Sequence, residues 1–203
     1  GWENRNTSYT FADYAALMVK HLGDRVKHWT TFNEPSVVAF DGNLSGEHAP
    51  GNQDPRIAYQ VGHTLLLAHG LAVQAIRAAE PHVEVGIVLN LWGADPASES
   101  PEDVAAANSA WERSETLFLD PIFRGHYPIS AYEMVGENMP KIEDGDMALV
   151  AQKLDFVGIN FYSRNLIAAS GHVDPVPGSE YTEMGWEVHA PALRRLLVKL
   201  NDE

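Results

Sequence analysis

The sequence predicts an α/β fold in which parallel strands are joined by helices. Three observations carry that prediction. Segments with apolar residues at helical spacing alternate along the chain with short strand-like runs, and such alternation implies parallel strands with helical crossovers. The runs at 85–90 and 156–162 are apolar on successive residues rather than on alternate ones, as strands covered on both faces are. Each run ends in side chains able to hydrogen-bond: Asn33 and Glu34, then Asn90, then Asn160 and Tyr162. A doubly wound open sheet fits the alternation too, but its glycine-rich phosphate fingerprint is absent.

In chain order, Phe11, Tyr14, Ala15, Met18 and Leu22 recur at helical spacing. Thr7, Ser8 or Thr10 is the expected N-cap of that helix and Gly23 its C-cap. A strand is expected at 26–32. Ile57, Val61, Leu65, Ala68, Ala72, Ile76 and Ala79 then share one face of a long amphipathic helix, with Pro81 just past its end. After the strand at 85–90, Ser100-Pro101-Glu102-Asp103 reads as an N-cap, a proline at the first helical position and an acidic first turn. That helix is expected to run through Val104, Ala107, Trp111 and Phe118. Following the strand at 156–162, residues 170–179 read as a long surface loop, and Leu193, Leu196, Leu197 and Leu200 mark a last helix. With no repeat or linker, residues 1–203 are expected to form a single domain. The ends read as internal to a longer protein.

The chain carries 14 Lys+Arg against 28 Asp+Glu, a formal net charge of -14. That excludes nucleic acid and anionic membrane surfaces as expected partners, since both demand positive charge. No apolar stretch approaches the roughly 20 residues of a membrane span. Cysteine is absent, so there is no disulfide framework, thiol nucleophile or zinc–thiolate site. This fits either redox compartment, and a cytoplasmic one is the expectation. Nine histidines invite a metal reading, but His63 and His69 lie on different faces of one helix and no metal-binding spacing occurs. Asn6-Thr7-Ser8 and Asn43-Leu44-Ser45 fit the glycosylation pattern, which is frequent by chance.

The most informative segment is Thr31-Phe32-Asn33-Glu34-Pro35. It sets an Asn and a Glu side by side where a strand stops, and Pro35 prevents the strand from continuing. The C-terminal end of a strand is where α/β barrels place catalytic acids and bases. Read alone, the segment is equally a strand ending in a polar turn.

Its neighbours decide the matter. Thr31-Phe32-Asn33-Glu34-Pro35 resembles the acid/base motif of the family 1 glycoside hydrolases, the β-glucosidases and their relatives. Gly1-Trp2-Glu3-Asn4-Arg5, Leu22-Gly23-Asp24-Arg25-Val26, Gly46-Glu47-His48-Ala49-Pro50-Gly51, Leu65-Leu66-Leu67-Ala68-His69-Gly70, Phe118-Leu119-Asp120-Pro121, Gly125-His126-Tyr127-Pro128, the segment from Asp155 to Tyr162, and Met184-Gly185-Trp186-Glu187 resemble further family segments, in family order. The resemblance covers essentially the whole chain. It implies the central part of a TIM (β/α)8 barrel, roughly strands four to six, and hydrolysis of β-glycosides with retention of configuration.

A retaining glycosidase needs two carboxyl groups about 5–5.5 Å apart across the scissile bond. By resemblance Glu34 is the acid/base, and it must carry its proton at the first step. Asn33 matches the residue that hydrogen-bonds the sugar 2-hydroxyl, and Tyr162 the tyrosine that bonds the nucleophile. Asn160 faces the site or ties a loop. Trp186 resembles the tryptophan walling the leaving-group subsite, where His48 could line the entrance; Asn90 reads as structural. Ser36 stands where many relatives carry an aromatic residue, which implies a roomier or more polar leaving-group site. The family nucleophile, a Glu in Thr-Glu-Asn-Gly, has no counterpart here. The expected substrate is a β-glucoside or a short β-linked oligosaccharide, with no cofactor or metal. The chain by itself is expected to be inert, as a fragment or sugar-binding remnant. A 6-phospho-β-glycosidase remains as a further alternative.

Overall fold

The computed structural model describes residues 1–202. Helix α1 (Asn6–Leu22) leads to strand β1 (His28–Asn33), helix α2 (Pro35–Phe40) and a π-helical turn, Asp41–Ser45. Helix α3 (Pro55–Ala79) is followed by β2 (Glu84–Asn90), β3 (Ala94–Pro96), α4 (Pro101–Ser114), α5 (Thr116–Arg124), α6 (Ile129–Val135) and a 3-10 turn, Gly136–Asn138. Helix α7 (Asp146–Val150), β4 (Phe156–Asn160), β5 (Asn165–Ala168), β6 (Gly171–His172) and α8 (Ala190–Asp202) complete the described chain. The three expected strands form one sheet in the order β1-β2-β4, with β1 and β2 parallel. The chain divides into two compact units, residues 1–90 with 117–159 and residues 91–116 with 160–203.

The first unit is built around α3. Asp54 caps it by accepting the N–H groups of Arg56 and Ile57 at 2.9 and 3.3 Å, and Pro55 occupies the first position, where no N–H is needed. Its sequence suggests one apolar face. In the structure every residue from Val61 to Gly70 is buried, because α1, α2 and α7 all pack on it. Ala15, Val19, Ala72, Val73, Ile76, Val83 and Val85 form one core cluster, with Phe11, Trp29 and Leu154 packed against it. Each fully buried Val or Ile there is worth about 1.5–3 kcal/mol of transfer free energy. At Gly70 a Cβ would lie 1.8 Å from the Leu149 carbonyl oxygen, so the approach of α3 and α7 requires glycine.

Polar residues tie the same unit together. Asp146, buried on α7, accepts from both terminal guanidinium nitrogens of Arg5, from the Glu143 N–H at 2.8 Å, and pairs with His63 Nε2 at 3.0 Å. His63 Nδ1 meets the Tyr127 hydroxyl at 3.0 Å. Burial opposes the Asp146 charge, but the Arg5 and His63 bonds outweigh it and hold this carboxyl well below the usual range.

In the second unit β3 pairs parallel with β5, and β5 pairs antiparallel with β6. Ser100 caps α4 through the Asp103 N–H at 3.2 Å, with Pro101 at the first position.

Several expectations change. The α1 helix starts at Asn6 with Arg5 as its N-cap residue and no side-chain cap. Thr7, Ser8 and Thr10 instead turn their hydroxyls back onto the carbonyls of Gly1, Arg5 and Asn6, the local competition short hydroxyl side chains offer. Gly23 does close α1, its N–H reaching Val19 O at 2.7 Å, but from a right-handed conformation. The helix expected from Ser100 through Phe118 breaks at Glu115. Ala107 and Trp111 are buried in the second unit, while Leu117, Phe118 and Ile122 are buried in the first, and one straight helix does not serve two cores. The expected loop at 170–179 begins as the β5–β6 hairpin, which is too short to show periodicity.

Candidate active site

Glu34 sits between β1 and α2 with φ 50° and ψ 60°. It is the sole non-glycine residue of positive φ among the described residues. An L-residue held in the left-handed region costs of order 1–3 kcal/mol, and such residues cluster at functional sites. The surroundings hold it there. Its N–H reaches Val88 O at 2.9 Å, its carbonyl accepts the Val37 N–H at 3.0 Å, and Pro35 starts α2. Between the Thr30–Gly86 and Asn33–Val88 pairs, β1 advances three residues while β2 advances two. This bulge re-aims the residues at the end of the strand.

The strand beneath Glu34 is fastened from two sides. Buried Thr31 meets His69 Nδ1 of α3 at 2.7 Å. Burial pushes the His69 imidazole down to about 4, so it is neutral at physiological pH. On the other side Phe32 stacks on Phe11 at 4.5 Å between centroids and takes the Trp2 ring edge-on at 5.5 Å. Asn33 is exposed at the end of β1, opposite Val88. Asn90, which the sequence suggested was structural, ends the neighbouring strand β2 with its side-chain oxygen buried and without a hydrogen-bond partner. It is an open acceptor that nothing in the periodicity signals.

Past Glu34, α2 passes directly into the π-helical turn, a form found frequently at functional sites. Exposed His48 donates its N–H to Asp41 O at 3.0 Å. Burial raises the Asp41 carboxyl, and the charges of Glu47 and Glu34 add to that while His48 opposes it. Asn43 is buried, its amide nitrogen donating to Val38 O at 3.0 Å, so the glycosylation pattern there is occluded.

The second unit holds the other candidates. Asn160 ends β4, and its carbonyl accepts the Leu91 N–H at 3.1 Å. Tyr162 and Trp186 pack ring against ring at 4.9 Å between centroids, inclined by 39°. Trp92, which sequence reasoning did not single out, joins them at 6.2 Å from Tyr162 and 5.9 Å from Trp186. Trp186 is fixed by its own loop, where Thr182 N–H donates to Trp186 O at 2.9 Å and Trp186 N–H donates to Thr182 Oγ1 at 3.2 Å. The adjacent Glu187 is buried and takes a two-pronged bond from Arg164 at 2.7 and 3.0 Å plus the Ser179 hydroxyl at 2.6 Å. Arg164, with Ser179 in support, outweighs burial and lowers this carboxyl to about 2. It therefore stays ionised at neutral pH and locks the loop. Arg164 also bonds Asp95 at 3.3 Å, and Asp95 holds Arg195. Among the described residues no group of three or more His, Asp or Glu is arranged to hold a metal ion.

A strained glutamate at the C-terminal end of a parallel strand, in a sheet flanked by helices, occupies the place where α/β barrels carry their catalytic acids and bases. The comparisons with known proteins specify which. The family model for Glycosyl hydrolase family 1 matches residues 1–203, and the chain belongs to that family. It is 38% identical over 213 residues to a β-glucosidase of Agrobacterium sp., covering 98% of this chain and 46% of the relative. It is 39% identical over 209 residues to β-glucosidase A of Thermotoga maritima, covering 100% and 47%. The solved family 1 β-glucosidase of T. maritima superposes with a TM-score of 0.91 at 39% identity, over 100% of this chain and 47% of that one. The virulence factor SghA, solved with its substrate analogue salicin, gives 0.92 at 37% identity, over 100% and 46%. The fold is thus that of the TIM barrel glycosidases, and the chain spans about half the length of the curated relatives it matches.

Proposed function

We propose that this chain supplies the acid/base half of a retaining β-glycosidase, and specifically of a β-glucosidase acting on terminal, non-reducing β-D-glucosyl groups. One observation carries the reading: Glu34 of the Asn-Glu-Pro motif is held at positive φ directly after a bulged strand end. The relatives named β-glucosidase support the choice of glucoside. The substrate would be a β-glucoside or a short β-linked oligosaccharide, and both compact units would belong to one barrel domain.

In the first step the Glu34 carboxyl gives its proton to the glycosidic oxygen as the bond from that oxygen to the anomeric carbon breaks. A second carboxylate, contributed from outside these 203 residues, attacks the anomeric carbon and forms the glycosyl-enzyme. In the second step Glu34, now a carboxylate, takes a proton from water as the water oxygen attacks the same carbon; the bond from that carbon to the second carboxylate breaks, which releases the sugar and restores both carboxyl groups. Asn33 would hydrogen-bond the 2-hydroxyl, a contact that strengthens in the transition state. The Tyr162 hydroxyl would donate to the nucleophile, Asn160 would border the sugar, and the Trp186 face would stack on the leaving group. No step calls for a cofactor or metal.

The test uses the full-length enzyme. Glu34→Ala should lower turnover of a β-glucoside with a poor leaving group by about 10²–10⁴-fold. Azide should restore turnover of an activated aryl glucoside and yield the β-glucosyl azide. A Glu34→Gln enzyme as active as wild type, or an alanine variant that azide leaves unchanged, refutes the assignment.

A further inference from the structure

We propose that Trp92 is a positioning residue for the leaving-group side of the site, and that through it the enzyme favours flat aromatic leaving groups over sugars. The inference rests on the reading of Trp186 as a wall of that subsite. Trp92 meets Trp186 at 83°, edge against face, and lies 48° from Tyr162. Edge-to-face contact fixes the plane of the partner ring, because the positive edge of one ring faces the negative face of the other. Trp92 therefore sets the tilt at which Trp186 and Tyr162 meet a ligand.

Trp92 is itself braced. Its backbone N–H donates to Glu115 Oε1 at 3.3 Å, and the backbone N–H of the preceding Leu91 donates to the carbonyl of Asn160 at the end of β4. Glu115 is buried, so its carboxyl is not free to swing into solvent. Buried carboxyls thus fasten the chain beside the rings: Glu115 accepts the backbone N–H of Trp92, and Glu187, the residue after Trp186, is held by Arg164 and Ser179. Yet none of the rings is buried, and Tyr162 keeps 45% of its surface exposed. Large aromatic surface that is rigidly held and still open is preorganised to receive a partner, since little side-chain freedom is left to lose on binding. A flat aryl group matches such a surface better than a hydroxyl-covered sugar, whose polar groups would lose water against it without replacement hydrogen bonds.

The experiment compares phenyl β-D-glucoside with cellobiose in the full-length enzyme, for wild type, Trp92→Leu and Trp92→Phe. The readout is the ratio of the two kcat/KM values, because kcat/KM reports binding and glycosyl-enzyme formation, the steps in which the leaving group takes part, and the later deglycosylation step does not enter it. Trp92→Leu should lower the phenyl-to-cellobiose ratio by about two- to tenfold. Trp92→Phe should restore at least half of the loss. Equal losses on both substrates, or none, overturn the positioning role while leaving the glycosidase reading intact. A wild-type enzyme that turns over neither glucoside overturns both. Should Trp92→Leu fail to fold, the phenylalanine variant decides: a folded Trp92→Phe enzyme stripped of its aryl preference overturns the proposal, and one that keeps it supports the proposal.

Discussion

Replacing Glu115 by glutamine should make the folded protein markedly more stable at alkaline pH and hardly change it in acid. Burial raises the Glu115 carboxyl from 4.5 to about 7, against the opposing pull of the Trp92 and Gly93 N–H groups. The folded state therefore binds this proton more tightly than the unfolded state. The stability Glu115 contributes is complete below about pH 4.5 and drains away as pH rises through about 7. At about 1.4 kcal/mol per unit, a shift of this size is worth about 3 kcal/mol, of which about 2–3 kcal/mol falls between pH 5 and pH 8. Glutamine keeps an oxygen to accept the Trp92 N–H but has no charge to desolvate. The measurement is urea unfolding of wild type and Glu115→Gln at both pH values. Every other titrating group cancels in the difference between the two proteins. That difference should shift by about 2–3 kcal/mol in favour of glutamine on going to pH 8. A difference that stays constant to within about 0.5 kcal/mol would show that the carboxyl ionises as freely folded as unfolded, and the buried brace behind Trp92 would have to be abandoned.

Three further outcomes follow from the packing. Arg164→Ala leaves Glu187 buried without its two-pronged partner and should cost about 3–5 kcal/mol, visible in the urea midpoint; a loss under about 1 kcal/mol would mean that solvent reaches Glu187 after all. Gly70→Ala forces a methyl against the Leu149 carbonyl and should cost about 1–3 kcal/mol or more, whereas an unchanged melting temperature would mean that α3 and α7 part easily. The 203-residue chain on its own should take up no label from a 2-fluoro-glucoside, since that label forms a bond to a nucleophile the chain is proposed to lack; intact-mass detection of one label per chain would overturn this.

Much of this protein is written in its local sequence. Helical spacing located α1, α3 and α8, and continuous apolar runs located β2 and β4, because burial of a face imposes a period that a short window of residues displays. Ser100-Pro101 announced the start of α4 for the same reason, since a capping hydroxyl and a proline act within one turn. The Asn33-Glu34-Pro35 segment was legible as a strand end, and the family followed from several short motifs kept in one order. What the tertiary structure alone decided is long-range and aperiodic. The left-handed backbone at Glu34 depends on a bulge against β2 and on the Val88 carbonyl, partners more than fifty positions away. The Arg5–Asp146–His63 network joins residues up to 141 positions apart, and no pattern of spacing encodes which buried charge meets which. Trp92 shows the same limit: in the sequence it is one aromatic residue after a strand, and it becomes a brace only when folding brings Glu115, Tyr162 and Trp186 around it. Periodicity records which side of an element is dry; which groups then meet across the dry side is settled only when the whole chain packs.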